Sequence, residues 1–162
     1  MNYLFDFDFD KQNNPYTEAI FVGIYTLIIY FLLSFFIKNP SLLFFFVGFT
    51  KHFSGDFIQL HTFYCNYGYA CRYYFGKDNI LHYFSDKKEV VILIESILEG
   101  FVFLFLGLLL FSFLCFERKW YWFFLFGYFL HIFFEKIGIH QLFCKYRCSA
   151  SSAASSSTIS SV

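Results

Sequence analysis

A pattern of side chains that can bind metal ions or carry protons occurs twice in this chain. Both copies fit Gly-x3-His-x3-Asp/Glu-x4-His-x3-Cys, and the second copy follows the first at an offset of 79 residues. Imidazole, carboxylate and thiolate groups are the protein ligands of zinc and iron ions. The two copies consist of Gly48, His52, Asp56, His61 and Cys65, and of Gly127, His131, Glu135, His140 and Cys144.

The composition indicates that these residues belong to a membrane protein. Hydrophobic residues make up 58% of the 162 positions and aromatic residues 27%, so a water-soluble surface could hardly be covered. The formal net charge is zero and no basic block occurs, which excludes the electrostatic basis of nucleic-acid binding. We therefore expect a multi-pass integral membrane protein whose partner is the lipid bilayer, and a homo-oligomer is compatible with this class.

Four apolar runs are each long enough to cross a hydrocarbon core of ~30 Å. Polar turns at residues 38–40 and 117–119 join them in pairs. The sequence thus predicts an all-α membrane protein of two helical hairpins, with the N- and C-termini on the same side. The predicted transmembrane helices cover residues 17–37, 41–60, 90–116 and 120–139.

The spans divide the chain into five segments. Residues 1–16 form an acidic and aromatic tail without the features of a cleaved signal peptide, and residues 17–60 form hairpin 1. Residues 61–89 are predicted to be an aromatic, cysteine-containing loop at the membrane surface. Residues 90–148 form hairpin 2 with a cysteine-containing end, and residues 149–162 form a Ser/Ala tail that we expect to be disordered.

The two hairpins also correspond outside the repeated pattern. At an offset of 77 residues, Glu18 and Gly23 match Glu95 and Gly100. Tandem duplication of one hairpin explains why rare residues match at several positions in one frame. We therefore predict a four-helix bundle with a pseudo-twofold axis along the membrane normal.

The spans bring the acids and histidines to one depth. At ~1.5 Å rise per residue they share a layer ~6–14 Å below the face that carries both termini. The sharpest hypothesis is a site for a divalent metal ion, because the ligand count resembles that of ferritin-like di-iron bundles. The spacing differs, since those bundles use Glu-x-x-His and this chain has His-x3-Asp/Glu. The candidate ligands are Glu18, His52, Asp56, Glu95, His131 and Glu135.

Two other interpretations of this layer stay open. Intramembrane acids and histidines also form proton or ion paths, but the outer half of every span is nearly all Phe and Leu, which argues against a through-channel. Carboxylate–histidine pairs can also hold helices together, at ~0.6–2 kcal/mol per hydrogen bond. A structural or assembly protein would need nothing more, so the sequence does not decide whether the protein is an enzyme.

Two charged residues interrupt the repeat at matching depth. Lys51 and Glu99 have Leu130 and Val22 as their counterparts. Because an isolated charge inside a membrane is costly, we predict that Lys51 and Glu99 form a buried ion pair.

A second cluster is expected just outside the membrane. It could form a tetrahedral zinc site, or two disulfides within or across the two close cysteine pairs. Eight Lys and Arg residues on this face against three on the opposite face favour the cytosol, where thiols stay reduced. The two cysteine pairs favour disulfides, and both alternatives stay open. The residues are His61, Cys65, Cys71, His140, Cys144 and Cys148.

Three segments resemble parts of uncharacterised multi-span membrane proteins of large DNA viruses. They read LHTFYCNYGYAC at residues 60–71, IESILEG at 94–100 and GIHQLFC at 138–144. The resemblance covers residues 44–148. It implies a viral membrane protein and transfers no activity.

Overall fold

The computed structural model describes residues 14–75, 81–83, 89–114 and 120–150. In these residues it contains seven helices and one short antiparallel pair of strands. Most of both predicted tails and part of the predicted loop lie outside the described residues. The elements are α1 (Pro15–Ser34), α2 (Pro40–Phe57), α3 (Leu60–Tyr67), α4 (Tyr69–Phe75), β1 (Leu81–Tyr83), α5 (Glu89–Leu114), α6 (Tyr121–Lys136), α7 (Ile139–Arg147) and β2 (Cys148–Ala150).

Two helices are long and apolar enough to cross a bilayer, at Pro15–Ser34 and at Val90–Leu110. A third candidate arises if α6 and α7, which meet at 74°, are counted as one broken span. Helix α2 does not meet the same criteria, because Lys51, His52 and Asp56 reduce its apolar character. The structure therefore indicates a helical membrane protein with two or three candidate spans, where the sequence predicts four.

Helices α1 and α2 begin in the same way. The side chain of Asn14 accepts a hydrogen bond from the backbone N–H of Thr17 at 2.8 Å, and that of Asn39 accepts one from Ser41 at 2.9 Å. A proline occupies the first turn of both helices, where its missing N–H costs nothing. The second of these caps, Asn39-Pro40, explains why the chain turns sharply at residues 38–40.

The most extensive helix contacts connect the two predicted hairpins. Helix α2 packs along α5 and α1 packs along α6, whereas α1 and α2 share a smaller contact. Glycines allow this approach. A Cβ at Gly48 would lie 2.8 Å from the carbonyl oxygen of Glu99, and one at Gly127 would lie 3.2 Å from that of Val22.

An aromatic core fills the bundle on the side away from the acids and histidines. The rings of Tyr30 and Phe123 stack with centroids 4.0 Å apart, and those of Phe103 and Phe126 meet edge to face at 4.8 Å. No ionisable side chain belongs to the core cluster among the described residues except Tyr30. The buried members are Ile29, Tyr30, Leu43, Val47, Phe103, Phe123, Phe126 and Leu130.

Helices α3, α4 and α7 form a cap over the other end of the bundle. Each turn into the cap uses a left-handed residue, Gln59 with φ 58° and Gly138 with φ 82°. Helix α4 packs on α7, and β1 pairs with β2. Much of the segment predicted as a loop is therefore helical, because its apolar and cysteine residues recur at helical spacing and are buried against α7.

Candidate functional site

Two polar clusters lie where the bundle meets the cap. Because α1 packs on α6 and α2 on α5, the six predicted metal ligands separate into two sets of three instead of converging on one point. This corrects the single site expected from the sequence. The His131 cluster consists of Glu18, Tyr64, His131, Glu135 and His140, and the His52 cluster consists of Lys51, His52, Asp56, His61, Glu95 and Glu99.

In the His131 cluster, only one of the two carboxylate oxygens of Glu18 has a hydrogen-bond partner. Its Oε1 accepts a hydrogen bond from the backbone N–H of Tyr69 at 2.6 Å, while its Oε2 lies 3.5 Å from Nε2 of His131. Glu18 Oε2 and His131 Nε2 are both buried without a hydrogen-bond partner, and His131 is only 7% exposed. Since buried polar atoms are nearly always paired, this gap requires a physical explanation.

On the other side of the same cluster, Glu135 has one short and one long hydrogen bond. Nδ1 of His140 lies 2.6 Å from Oε2 of Glu135, and the hydroxyl of Tyr64 donates to that oxygen at 3.4 Å. Burial, together with the charges of Glu18 and Glu135, raises the pKa of Tyr64 well above its usual value, so the phenol keeps its proton. One ligand atom each from His131, Glu135 and His140 lies within 4.8 Å of the others.

The distance between Glu18 and His131 fits two ligands of one metal ion. Zinc bonds to nitrogen and oxygen ligands are about 2.0–2.2 Å long, so two ligands of a tetrahedral ion are about 3.3–3.6 Å apart. The observed separation of 3.5 Å falls in this range and is too long for a good hydrogen bond. This separation is that of two ligands of one small cation, and Glu18 lies outside the group of His131, Glu135 and His140 whose ligand atoms are all within 4.8 Å of one another.

The His52 cluster repeats the same separation. Nε2 of His52 lies 3.6 Å from Oε2 of Glu95 and has no hydrogen-bond partner. Its other ring nitrogen, Nδ1, lies 2.8 Å from Oε2 of Glu99. The histidine–carboxylate frame is thus present twice, once on each pair of packed helices.

Cations distinguish the two clusters. In the His52 cluster the ammonium of Lys51 contacts Oε1 of Glu99, which brings together the two residues predicted to pair, and the guanidinium of Arg147 contacts Oε1 of Glu95. Sequence reasoning missed Arg147, because its position at the end of α7 does not reveal which acid it reaches. Within the described part of the chain, neither acid of the His131 cluster contacts a Lys or Arg.

His61 and His140 belong to the polar layer, although the sequence grouped them with the cysteines. Nδ1 of His61 lies 3.2 Å from Oδ1 of Asp56, as His140 lies beside Glu135. The turns before α3 and α7 direct both rings back toward the bundle. Burial, reinforced by the charge of His52, lowers the pKa of His61, while Asp56 opposes this effect.

Four cysteines form two disulfides across the predicted pairs. Cys65 bonds Cys148 and Cys71 bonds Cys144, and all four are buried in the cap. Sulfur atoms of three of them are close enough together for a metal ion, but each is already bonded to another sulfur. Cys115 lies outside the described residues.

Comparison of the chain with protein-family models, with curated proteins and with solved structures finds no match. The class of the protein therefore follows from its own structure. It is a helical membrane protein with two or three candidate spans, two buried histidine–carboxylate clusters and a disulfide-bonded cap.

Proposed function

We propose that this protein is a four-span membrane metalloprotein that binds one divalent transition-metal ion at the His131 cluster. Glu18 and His131 supply the first two ligands, and Glu135 and His140 complete the set. The observation that carries this proposal is the pair of buried, unpartnered atoms, Glu18 Oε2 and His131 Nε2, 3.5 Å apart.

The charge of the cluster supports a dication. Glu18 and Glu135 are two buried carboxylates that no Lys or Arg contacts in the described residues, and uncompensated charges at this depth are costly. Imidazole and carboxylate ligands suit zinc, iron and manganese ions. The hydrogen bond from Tyr64 would orient Glu135 as outer partners of metal ligands do.

Matching contacts support four spans derived from a duplicated hairpin. A Cβ at Gly23 would lie 2.9 Å from the ring of Phe124, and one at Gly100 would lie 2.9 Å from the ring of Phe45. These two contacts correspond under the offsets found in the sequence. In this proposal α2 and α6 cross the membrane as α1 and α5 do, and the protein is viral in origin, as the resemblance implies.

The buried disulfides support a location of the cap in an oxidising compartment, with both termini on that side. The excess of Lys and Arg on this face favours the opposite orientation. We give the disulfides more weight, because they form the core of the cap. Counting of free thiols tests this part: two disulfides leave one reactive thiol among five cysteines, and five reactive thiols would contradict it.

Metal analysis of the purified full-length protein tests the central proposal. We expect about one equivalent of metal in the wild type and in His52→Ala, and almost none in His131→Ala. The two variants are matched, because each removes the corresponding histidine of one cluster. Absence of metal from the wild type after loading with zinc, iron or manganese, or an equal loss in both variants, would contradict the proposal.

A structural or assembly role is the second candidate function. It is favoured by the disulfides, which close loops of 83 and 73 residues and tie α3 and α4 to the end of the chain. In this case the histidine–carboxylate pairs only hold helices together, and substitutions in both clusters lower stability without any change in metal content. A proton path is less well supported, because the other half of the bundle is an apolar core.

A further inference from the structure

Helices α3 and α7 each expose an apolar stripe on the outside of the cap. The stripes occupy positions i, i+3 and i+7, which lie on one side of a helix. Their side chains are between 37% and 65% exposed. The opposite sides of both helices carry the histidines and cysteines that face the clusters and disulfides. The stripes consist of Leu60, Phe63 and Tyr67 in α3, and of Ile139, Leu142 and Tyr146 in α7.

The direction of α7 fits the plane of a membrane, and α3 follows the same kind of turn. Helix α7 bends from α6 by 74°, so it runs nearly across the direction of the candidate span. Gln59 makes a left-handed turn before α3 as Gly138 does before α7. Exposed Ile58 and Ile137 continue the apolar surface from the ends of α2 and α6 into the stripes. The stripes are therefore continuous with the surface that faces lipid.

A basic residue lies beside the tyrosine at the end of each stripe. The guanidinium of Arg72 lies 5.8 Å from the ring centre of Tyr67, and the ammonium of Lys145 lies 5.4 Å from that of Tyr146. Tyrosine is enriched at the membrane–water interface, where basic side chains can contact the phosphates of phospholipid headgroups. The two tyrosines thus occupy equivalent positions on the stripes, and each has a basic side chain beside it, from α4 at Tyr67 and from α7 itself at Tyr146.

We propose that α3 and α7 lie in the plane of the bilayer as two interfacial helices that bind phospholipid headgroups. Their stripes enter the boundary between headgroups and acyl chains, ~5–10 Å into the membrane. Lys145 contacts the lipid phosphates, and so does Arg72 through the guanidinium whose Nε also donates to the carbonyl oxygen of Asn66. This surface is separate from the metal site, and its existence does not depend on metal binding.

Quenching of tryptophan fluorescence by brominated lipids tests the position of the helices. The two native tryptophans are replaced by Phe, and a single Trp then replaces Phe63 or Leu142 in the full-length protein in nanodiscs. Tyr73→Trp, at an exposed site of α4 outside both stripes, is the control. We expect stronger quenching by bromines near the headgroup than by bromines near the chain end, at both stripe positions and not at the control.

The proposal would be overturned if neither stripe showed quenching in protein that retains its two disulfides. The stripes would then face water or another protein.

Discussion

The His131 and His52 clusters have the same frame and different charges. In each, a glutamate of one helix lies 3.5 or 3.6 Å from a histidine of the helix packed against it. At the two positions where the His52 cluster has Lys51 and Glu99, the His131 side has Leu130 and Val22. The main difference between the clusters is therefore how the buried carboxylates are compensated, beside the exchanges of Asp56 for Glu135 and of Tyr64 for Phe143.

The presence of cations in one cluster and not in the other indicates which cluster needs a bound ion. Lys51 contacts Glu99 and Arg147 contacts Glu95, so the His52 cluster carries its own cations. In our proposal a metal ion replaces them in the His131 cluster. A lysine and a metal ion are then alternative solutions to the same electrostatic requirement, in the two halves of one protein.

The largest effect is expected when Lys51 is removed alone. Lys51→Met leaves Glu99 buried without its ammonium partner, which should lower the free energy of unfolding by ~3–5 kcal/mol. Adding Glu99→Gln should recover most of this loss, because both charges are then absent. Thermal unfolding in detergent measures both variants, and a double variant no more stable than the single one would show that the ion pair does not explain the loss.

Conversion of the His52 cluster into a copy of the His131 cluster should create a second metal site. The triple variant Lys51→Leu/Glu99→Val/Arg147→Gln introduces the residues found at the two matching positions and removes the guanidinium that contacts Glu95. Glu95 and Asp56 then lack a Lys or Arg partner in the described residues, as Glu18 and Glu135 do. We expect the metal content to rise from about one to about two equivalents per chain.

The reverse substitution on the other half is the control. Leu130→Lys alone should reduce the metal content to almost none, because it adds an ammonium without adding an acid. If metal content stays the same in this variant and in the triple variant, charge compensation does not decide which cluster binds metal.

Parts of this comparison could be predicted from the sequence. Repeat offsets identified the paired residues, and the interruption of the repeat identified Lys51 and Glu99, because a charge without a counterpart needs a local partner. Predicted spans at 17–37 and 41–60 lie close to α1 and α2. These features depend on local spacing and apolarity, which the sequence contains.

The separation into two clusters could not be predicted. It depends on which helices pack together, and this is decided by contacts such as that of Gly48 with the carbonyl oxygen of Glu99. From hydropathy alone, the helices of each sequential hairpin are expected to pack mainly against each other. The cap was missed for a related reason, since α3 and α4 are short helices whose stability comes from burial and from disulfides to distant cysteines.

A smaller effect on metal binding is expected from Tyr64. Its counterpart in the repeat is Phe143, so Tyr64→Phe gives the His131 cluster the residue of the other half. Loss of the hydrogen bond to Glu135 should weaken metal affinity by about tenfold, as for other outer partners of ligands. Competition with a fluorescent chelator measures the affinity, and Tyr73→Phe on the exposed surface of α4 serves as the control. Unchanged affinity would exclude Tyr64 from the support of the site.

The smallest effect concerns the pH dependence of stability through His61. Because burial lowers its pKa in the folded state, the unfolded chain binds the proton more readily, and stability falls as the pH drops below about 6.5. Asp56 and Glu99 partly oppose this shift and His52 adds to it. His61→Gln removes this titrating group, so the variant should lose less stability than the wild type between pH 7 and pH 5. The difference between the two proteins should be at most ~1.4 kcal/mol per pH unit. His82→Gln, at the one histidine outside the two patterns, is the control. If stability changes with pH equally in His61→Gln and in the wild type, the pKa of His61 is not lowered in the folded state.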